Sequence, residues 1–398
     1  MRIVFLNREY PPHTVFLSTS FLYQRMAKAF VRQGHEVHVI TQSDGKPLER
    51  DDEGVLVHEV GSNVNRGSAR ARISYSYNAW RKLRELRHDV DVVNADYFLG
   101  EGSLYSLSNR KPPLVLQAHA WAEGWIYDPG ISGLMKKKVA GYFEKIAARR
   151  AAYVIATSKF TYQWLVDKVG LPKDRVKIVY EFIDTNRYKP VKSSFRQKIG
   201  IQESSKMVLF VAGLEPRKGP IVLAEAIPLV LHELPDARFV FVGRDTNLAP
   251  GGASMKSHIQ QLAEKSGFQD KIVFPGMISM EDIAGAYSAC DVFVYPGLME
   301  AGGLPPLEAM ACNCPVVATA TGSAAELKDV SPAFLVIPPN DSKALAQAII
   351  RLLSLPQDEL KGQAAKHRQI VEEQFSFDRM ITEILAVYAD AIANPKPN

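Results

Sequence analysis

The chain has 398 residues, of which 46% are hydrophobic and 23% charged, and its formal net charge is +5. That length exceeds what one hydrophobic core usually serves and fits two domains of common size. Its three cysteines form neither a disulfide framework nor a four-ligand zinc pattern, so we expect reduced thiols and no metal. Arg8 and Glu9 interrupt the first apolar run and no later run reaches membrane-spanning length, so we expect a cytoplasmic protein without signal peptide or membrane span.

The first half of the chain alternates short apolar runs with amphipathic stretches. Residues 3–7 are predicted to form a strand, residues 21–33 a helix closed by Gly34, and residues 36–41 the next strand. Such alternation is typical of an open parallel sheet with helices on both faces. We therefore expect an α/β fold for this half.

The second half repeats the pattern. Residues 207–212 and 238–243 are predicted strands, and residues 221–233 are a predicted helix between them. The stretch 187–206 is rich in Lys, Ser and Gln and lacks apolar periodicity, so we expect the join between the halves there. The fold class predicted from the residues is α/β with two Rossmann-like halves.

The predicted domains are an N-terminal one over residues 1–190 and a C-terminal one over residues 195–376. A final amphipathic helix is expected within residues 377–398, where apolar residues from Met380 to Tyr388 recur at helical spacing. Ligands of such folds bind at the carboxyl ends of the strands, so two facing domains predict a cleft between them.

The most informative motif follows the apolar run 292–296. Gly302 and Gly303 permit a sharp turn and close approach to a ligand, and the prolines after Leu304 suit the first turn of a helix. Unpaired amides and the positive end of the helix dipole then favour a diphosphate or a sugar. Glu300 and Glu308 flank this turn with carboxylates that can accept hydrogen bonds from hydroxyl pairs.

A second motif, residues 213–219, follows the first predicted strand of the C-terminal half. Arg217 and Lys218 lie there, just before a predicted helix, where two cations can neutralise a diphosphate.

The segment from Glu300 through Asn313 resembles the donor site of the retaining glycosyltransferases of the GT4 family, which have a pair of glutamates separated by seven residues. The resemblance implies the GT-B fold, with two facing Rossmann-like domains, a donor cleft between them, and the last helix returning to the first domain. It also implies that Glu308 binds the ribose and that Glu300, with the amides of Gly302, Gly303 and Leu304, binds the sugar.

Further site residues come from the same resemblance. His119, after the predicted strand 115–118, matches a histidine near the donor sugar, with a role in hydrogen bonding and orientation. Gly243, Met277 and Ile278 are the expected donor-binding positions, because backbone groups commonly recognise the base in such folds. The leaving phosphate is expected to take the acceptor's proton, so no protein base and no metal cofactor are implied.

The chain also departs from the family pattern. Gly213 stands where the phosphate loop normally has an arginine, so Arg217 is expected to supply that charge. Residues 13–20 contain none of the usual glycines, which predicts either a retracted loop with polar contacts from Ser18 and Thr19 or a different acceptor pocket. Glu181 and Phe182 replace an Asn-Gly pair, which changes the local shape.

Charge is distributed unevenly along the chain. Residues 1–190 contain 29 lysines and arginines against 20 acidic residues, whereas the remainder contains 19 against 23. This basic half could dock on an anionic membrane surface, bind a phosphorylated acceptor, or present solvated helix faces. No motif supports nucleic-acid binding. The residues concerned are Arg66, Arg70, Arg72, Tyr75, Tyr77, Trp80, Arg81, Lys82, Arg84, Arg87 and Lys136 to Lys138.

The predicted function is transfer of a sugar from a nucleoside-diphosphate sugar to an acceptor hydroxyl with retention of configuration. Family frequency favours UDP-glucose as donor and GDP-mannose second, and the acceptor is expected to be a small molecule, a glycan or a lipid-linked sugar. A GT-B epimerase, a phosphorylase and a non-catalytic scaffold remain as alternatives. A nicotinamide dehydrogenase is disfavoured, because neither half contains G-x-G-x-x-G.

Overall fold

Two sheets of mainly parallel strands organise the chain, each within its own unit. The computed structural model describes residues 1–12, 17–43, 45–61, 69–108, 112–125 and 131–395. The first unit comprises Met1–Val179 together with the residues from Met380 onward, and the second comprises Tyr180–Arg379.

The first unit has an eight-stranded sheet. Its strands are β1 (Arg2–Leu6), β2 (Glu36–Ser43), β3 (Leu48–Asp52), β4 (Val55–Gly61), β5 (Val92–Asp96), β6 (Leu114–Ala118), β7 (Tyr153–Ala156) and β8 (Val176–Ile178). They lie in the order β3-β4-β2-β1-β5-β6-β7-β8, in which β3 pairs antiparallel with β4 and the other pairs are parallel. The helices before the second unit are α1 (Leu17–Arg32), α2 (Ala69–Leu86), α3 (Ser103–Ser108), α4 (Ala122–Trp125), α5 (Ile131–Arg150) and α6 (Lys159–Trp164).

The second unit has a six-stranded parallel sheet. Its strands are β9 (Met207–Val211), β10 (Arg238–Val242), β11 (Ile272–Gly276), β12 (Val292–Tyr295), β13 (Val316–Thr319) and β14 (Phe334–Ile337), in the order β11-β10-β9-β12-β13-β14. The helices are α7 (Phe195–Lys198), α8 (Pro220–Glu233), α9 (Met255–Ser266), α10 (Met280–Ala289), α11 (Leu304–Ala311), α12 (Ser342–Leu353) and α13 (Gln357–Gln374). The last helix of the chain is α14 (Phe377–Ala393).

The strand β9 shows that the second sheet is buried on both faces. Along this strand Met207 and Leu209 point into one apolar core, while Val208 and Phe210 point into another. Because side chains alternate with a period of two, a strand with a core on each face reads as a continuous apolar run. Residues 180–206 precede β9 and contribute to one of these cores through Ile183, Tyr188 and Phe195.

The C-terminal helix α14 packs within the first unit. The ring of Tyr388 lies edge-on to that of Phe30 on α1, with the ring centroids 5.9 Å apart. Asp390 is 3.6 Å from the ammonium of Lys177. The helix expected within residues 377–398 is found at Phe377–Ala393, and the predicted strands and helices of both halves are confirmed, with ends that differ by up to four residues.

Membrane-spanning helices, metal-ligand clusters and the state of the cysteines bear on three of the sequence expectations. In the part of the chain that the structure describes, no helix is both long and apolar enough to cross a bilayer. No cluster of three or more His, Cys, Asp or Glu side chains suited to a metal ion occurs among those same residues. The cysteines Cys290, Cys312 and Cys314 are free thiols.

Candidate functional site

The carboxyl edge of the second sheet brings together all the predicted donor-site residues of that unit. β11, β10, β9 and β12 are consecutive neighbours in the sheet. The segments that follow these strands contain, respectively, Met277 and Ile278, Gly243, Arg217 with Lys218, and the Glu300 turn. The amide of Gly243 donates to the carbonyl of Gly276 over 2.9 Å, which joins two of these segments directly.

Glu300 is the centre of this edge, with only 8% of the residue exposed. Its Oε1 accepts from the Lys218 ammonium at 2.7 Å, from the Tyr295 hydroxyl at 3.0 Å and from Nη1 of Arg217 at 3.2 Å. Lys218 also donates to the Tyr295 hydroxyl at 2.6 Å. Nε of Arg217 donates to Glu215 at 2.9 Å. The two predicted phosphate-binding cations are therefore already held in place by carboxylates.

Burial sets the electrostatics of this cluster. Desolvation lowers the pKa of Lys218 below its usual value, although the neighbouring Glu300 carboxylate opposes that shift. Desolvation, with the Glu300 charge, raises the pKa of Tyr295 well above its usual value, so the phenol remains a neutral donor. The Lys218 ammonium is largely, though not fully, shielded from water. Its charge would therefore act on an anionic ligand with less screening than in bulk water.

Glycines bring the loops of this edge into close contact. Gly219 has φ +74°, and a Cβ there would lie 1.9 Å from the carbonyl oxygen of Pro296. Gly243 has φ +148°, and a Cβ would lie 1.8 Å from the carbonyl oxygen of Ala212. The amide of Leu298 donates to the carbonyl of Arg217 at 2.7 Å, so the loop after β12 and the loop after β9 support each other.

The helix α11 begins at the predicted glycine turn. Gly303 is its N-cap residue with φ +75°, and no side chain in the described part of the chain caps the helix. Because the prolines after Leu304 have no amide hydrogen, the amides available at this helix start are those of Leu304 and the residues before it. The carbonyl of Gly302 accepts from the amide of Ser323 at 2.7 Å, which supports the turn from the loop after β13.

Glu308 lies one turn into α11, as predicted, and is held by two tyrosines. The Tyr287 hydroxyl donates to its Oε2 at 2.9 Å, and Tyr188 also hydrogen bonds to this carboxylate. Burial raises the pKa of Glu308 above its usual value, and the two tyrosines oppose that shift. Because a carboxylate has about four acceptor sites, two tyrosine donors leave capacity for a further pair of hydroxyls.

His119 lies in the first unit, directly after β6. Its Nε2 is 3.1 Å from Oε1 of Gln117, and its ring lies edge-on to that of Tyr23 with the centroids 5.6 Å apart. Nε2 of Gln117 in turn donates to Oδ1 of Asn94 on β5 at 3.0 Å. Polar side chains on neighbouring strands therefore orient the histidine at the carboxyl edge of the first sheet.

A partly buried acid at the same edge of the first sheet was not predicted. Glu101 follows β5, and its Oε2 accepts from the backbone amide of Arg8 at 3.1 Å. Burial raises the pKa of Glu101 to about 8, with the nearby Asp96 charge acting in the same direction and the Arg8 charge opposing it.

Comparison with known proteins identifies the family. Residues 22–187 match the family model described as Glycosyltransferase Family 4, and residues 191–369 match the model described as Glycosyl transferases group 1. The chain belongs to the GT4-type glycosyltransferases. Its enzyme class is thereby glycosyltransferase, as predicted.

Relatives of this glycosyltransferase include an uncharacterized glycosyltransferase of Methanocaldococcus jannaschii, 27% identical over 98% of this chain and 99% of the relative. A D-inositol 3-phosphate glycosyltransferase of Acidothermus cellulolyticus is 29% identical over 93% of this chain and 84% of the relative.

Solved structures confirm the predicted fold class. Sucrose-phosphate synthase from Thermosynechococcus elongatus has a TM-score of 0.78 at 18% identity, covering 98% of this chain and 99% of that one. Anabaena HepE in complex with UDP-glucose has a TM-score of 0.72 at 22% identity, covering 98% and 100%. The glycosyltransferase described here therefore has the GT-B fold.

Some predicted features of the glycosyltransferase fall outside the described residues. These are the glycine-free loop at residues 13–16, the side chain of Ser18, the basic residue Arg66 and the side chain of Arg87. Thr19 lies in the first turn of α1. Phe182, which stands where the family pattern has a glycine, packs its ring on that of Phe377 with the centroids 4.7 Å apart. Its side chain therefore packs within the second unit.

Sequence reasoning missed the tyrosines that hydrogen bond to Glu300 and Glu308. Tyr295 is the last residue of β12, so its place at the carboxyl edge could have been anticipated from the predicted strand. Tyr188 and Tyr287 had no such signal, because they come from a segment before β9 and from α10, and only the fold brings them to Glu308.

Proposed function

We propose that this glycosyltransferase transfers a hexose from a nucleoside-diphosphate sugar to an acceptor hydroxyl with retention of anomeric configuration. The observation that carries the proposal is the buried cluster around Glu300, in which one carboxylate holds both Arg217 and Lys218 at the carboxyl edge of the sheet. Ligands of open α/β sheets bind at that edge. Cations held there in advance suit a leaving diphosphate, because they require little reorganisation as charge develops.

Each proposed role follows from the contacts. Lys218 and Arg217 stabilise the negative charge that develops on the diphosphate. Glu308, fixed by its tyrosines, accepts hydrogen bonds from the ribose diol. Glu300 and the amides from Gly302 to Leu304 bind the hexose hydroxyls.

His119 is proposed to hydrogen bond to a substrate hydroxyl and orient it. Gln117 accepts from its Nε2 and orients the ring, and no role as general base is proposed for it. An oxygen of the leaving diphosphate would take the acceptor's proton, so the proposed reaction needs neither a protein base nor a metal. The backbone near Met277 and Ile278, with Gly243 beside it, would contact the base.

The donor is proposed to be UDP-glucose, with GDP-mannose as the second candidate. HepE, whose fold this chain shares, was solved with UDP-glucose, which supports the first choice. Several relatives are named D-inositol 3-phosphate glycosyltransferase, which supports a polyhydroxylated acceptor; glycan and lipid-linked acceptors are the other proposed classes.

The test is donor turnover with and without acceptor, followed by chromatography of released nucleoside diphosphate and by proton NMR of the product's anomeric centre. The proposal predicts acceptor-dependent release and a product with the donor's anomeric configuration. An inverted product would refute retention. Conversion of the nucleotide sugar without acceptor would indicate an epimerase, and no turnover of any nucleotide sugar would favour a scaffold.

A further inference from the structure

The helix α5 has an unusual distribution of side chains. Its buried positions include Glu144, Ala147 and Ala148. Four large apolar residues on the same helix are exposed instead: Met135 (55%), Val139 (51%), Tyr142 (63%) and Phe143 (42%). A surface helix normally buries its apolar stripe and exposes its charges. Among the side chains that the structure describes on α5, these four large apolar ones are on the exposed side.

Helical geometry makes these four residues a single stripe. At about 100° per residue, positions 135, 139, 142 and 143 lie on one side of the helix, opposite the buried Glu144 and Ala148. Lys136 lies along one border of the stripe, and Lys138 and Lys145 lie along the other. We call this set of seven residues, Met135, Lys136, Lys138, Val139, Tyr142, Phe143 and Lys145, the α5 face.

The position of the α5 face in the fold can be worked out from its contacts. Ser103, at the start of α3, donates to the carbonyl of Phe143 at 3.0 Å, and the backbone of Phe143 lies beside Gly100, just after β5. Phe143 is therefore level with the carboxyl edge of the first sheet. Residues 135–142 precede it on a continuous helix, so they extend about 12 Å beyond that level at a rise of about 1.5 Å per residue.

Exposed apolar side chains bordered by lysines on both sides are the pattern of a helix that lies in a membrane interface. We propose that the α5 face docks on an anionic bilayer surface. The apolar stripe inserts between headgroups, while the lysines contact acidic lipid phosphates. Because the α5 face projects at the carboxyl edge that also bears His119, docking would bring this edge to the bilayer.

This placement deepens the proposed function, on which it rests, by selecting a lipid-linked acceptor from the candidate classes. The basic helix α2 is not needed for the proposal. There Tyr75 is buried and donates to the carbonyl of Ile40, while Lys82 is paired with Glu49 and Glu85.

Vesicle co-sedimentation tests the docking independently of turnover. The probes are vesicles of phosphatidylcholine alone and of phosphatidylcholine mixed with phosphatidylglycerol. Wild-type protein is expected to bind the anionic vesicles and to be released by salt. Each cationic contact strengthens binding by about fivefold, so Lys138→Glu with Lys145→Glu should weaken it by about 25-fold or more.

The matched charge control is Lys361→Glu with Lys366→Glu, two exposed lysines on α13 of the second unit. It should leave vesicle binding unchanged. Val139→Asp with Tyr142→Asp should abolish binding at low salt, while its melting temperature stays within a few degrees of wild type, because both residues are exposed.

Three outcomes would overturn the docking. Equal binding to neutral and anionic vesicles would show that the lysines do not contribute to docking. Failure to bind either kind of vesicle would show that the α5 face does not dock on a membrane. A concentration-dependent dimer that Val139→Asp with Tyr142→Asp dissociates would show that a second copy covers the α5 face. If vesicles bind but no lipid-linked sugar is glycosylated, the docking stands and the acceptor assignment fails.

Discussion

Replacing Lys218 by Met should separate the structural and catalytic roles of the cluster around Glu300. The substitution keeps the length of the side chain but removes the ammonium that lies 2.7 Å from Oε1 of Glu300. The Glu300 carboxylate then keeps Arg217 at 3.2 Å and the Tyr295 hydroxyl at 3.0 Å. Stability and turnover should therefore fall for different reasons.

The stability loss can be estimated from burial. Removing one partner of a buried ion pair costs about 3–5 kcal/mol, and the remaining Arg217 contact places Lys218→Met near 3 kcal/mol. For a domain of this size that loss lowers the melting temperature by about 6–12 °C. Adding Glu300→Gln removes the buried charge, so the double variant should regain at least about half of the loss.

Turnover should not recover in the double variant. Loss of a preorganised group that stabilises developing charge costs about 100-fold or more in rate. Urea unfolding and release of nucleoside diphosphate measure the two effects on the same preparations, and Lys361→Met on the exposed face of α13 serves as control. If the stability losses of Lys218→Met and of Glu300→Gln simply add in the double variant, the inferred coupling between Lys218 and Glu300 is wrong. If either variant keeps wild-type turnover, the phosphate assignment is wrong.

Three further predictions concern individual residues. Gly219→Ala should cost at least about 3 kcal/mol in urea unfolding because its Cβ would meet a backbone carbonyl, whereas Gly251→Ala, with similar φ and nothing within 4 Å, should cost only about 1–2 kcal/mol; equal losses would exclude the clash. Glu308→Gln should raise the donor KM about tenfold or more, and Tyr287→Phe should raise it less; the reverse order would contradict the ribose assignment. Burial lowers the pKa of His367 to about 4, below the ordinary histidine value that the unfolded chain keeps. The unfolded chain therefore takes up a proton on this imidazole more readily, and about 3 kcal/mol of stability should be lost as the pH falls from 6.5 to 4. His367→Gln should lack that part of the pH dependence, and an unchanged profile would assign it to other groups.

Much of the second unit was predictable from local chemistry. Asn313 has φ +56° after the end of α11, as its position and residue type indicated. The apolar runs of β9, β10 and β12 were recognisable because strands buried on both faces have continuous apolar sequences. Since the ends of parallel strands share one edge, the strand order then brings Arg217, Lys218 and Glu300 together.

Other features depended on contacts that local sequence does not encode. The pairing of Glu300 with both cations is a long-range contact. Arg217 was expected to bind a phosphate, and its hydrogen bonds to Glu215 and Glu300 were not anticipated. Tyr188 and Tyr287 reach Glu308 only through tertiary packing. Aromatic residues such as Tyr75 were counted with a basic surface although Tyr75 is buried, because composition does not distinguish the two sides of a helix.

Thermal unfolding with a panel of UDP-, GDP- and ADP-sugars, with NAD as comparison, tests the nucleotide-sugar site most directly. A ligand at about a hundredfold over its dissociation constant adds about 2.7 kcal/mol of stability. We predict that one class of nucleotide sugar raises the melting temperature by about 5 °C or more, and that the variant Lys218→Met with Glu300→Gln loses this shift. Stabilisation by NAD alone, or by no nucleotide sugar, would contradict the proposed donor site.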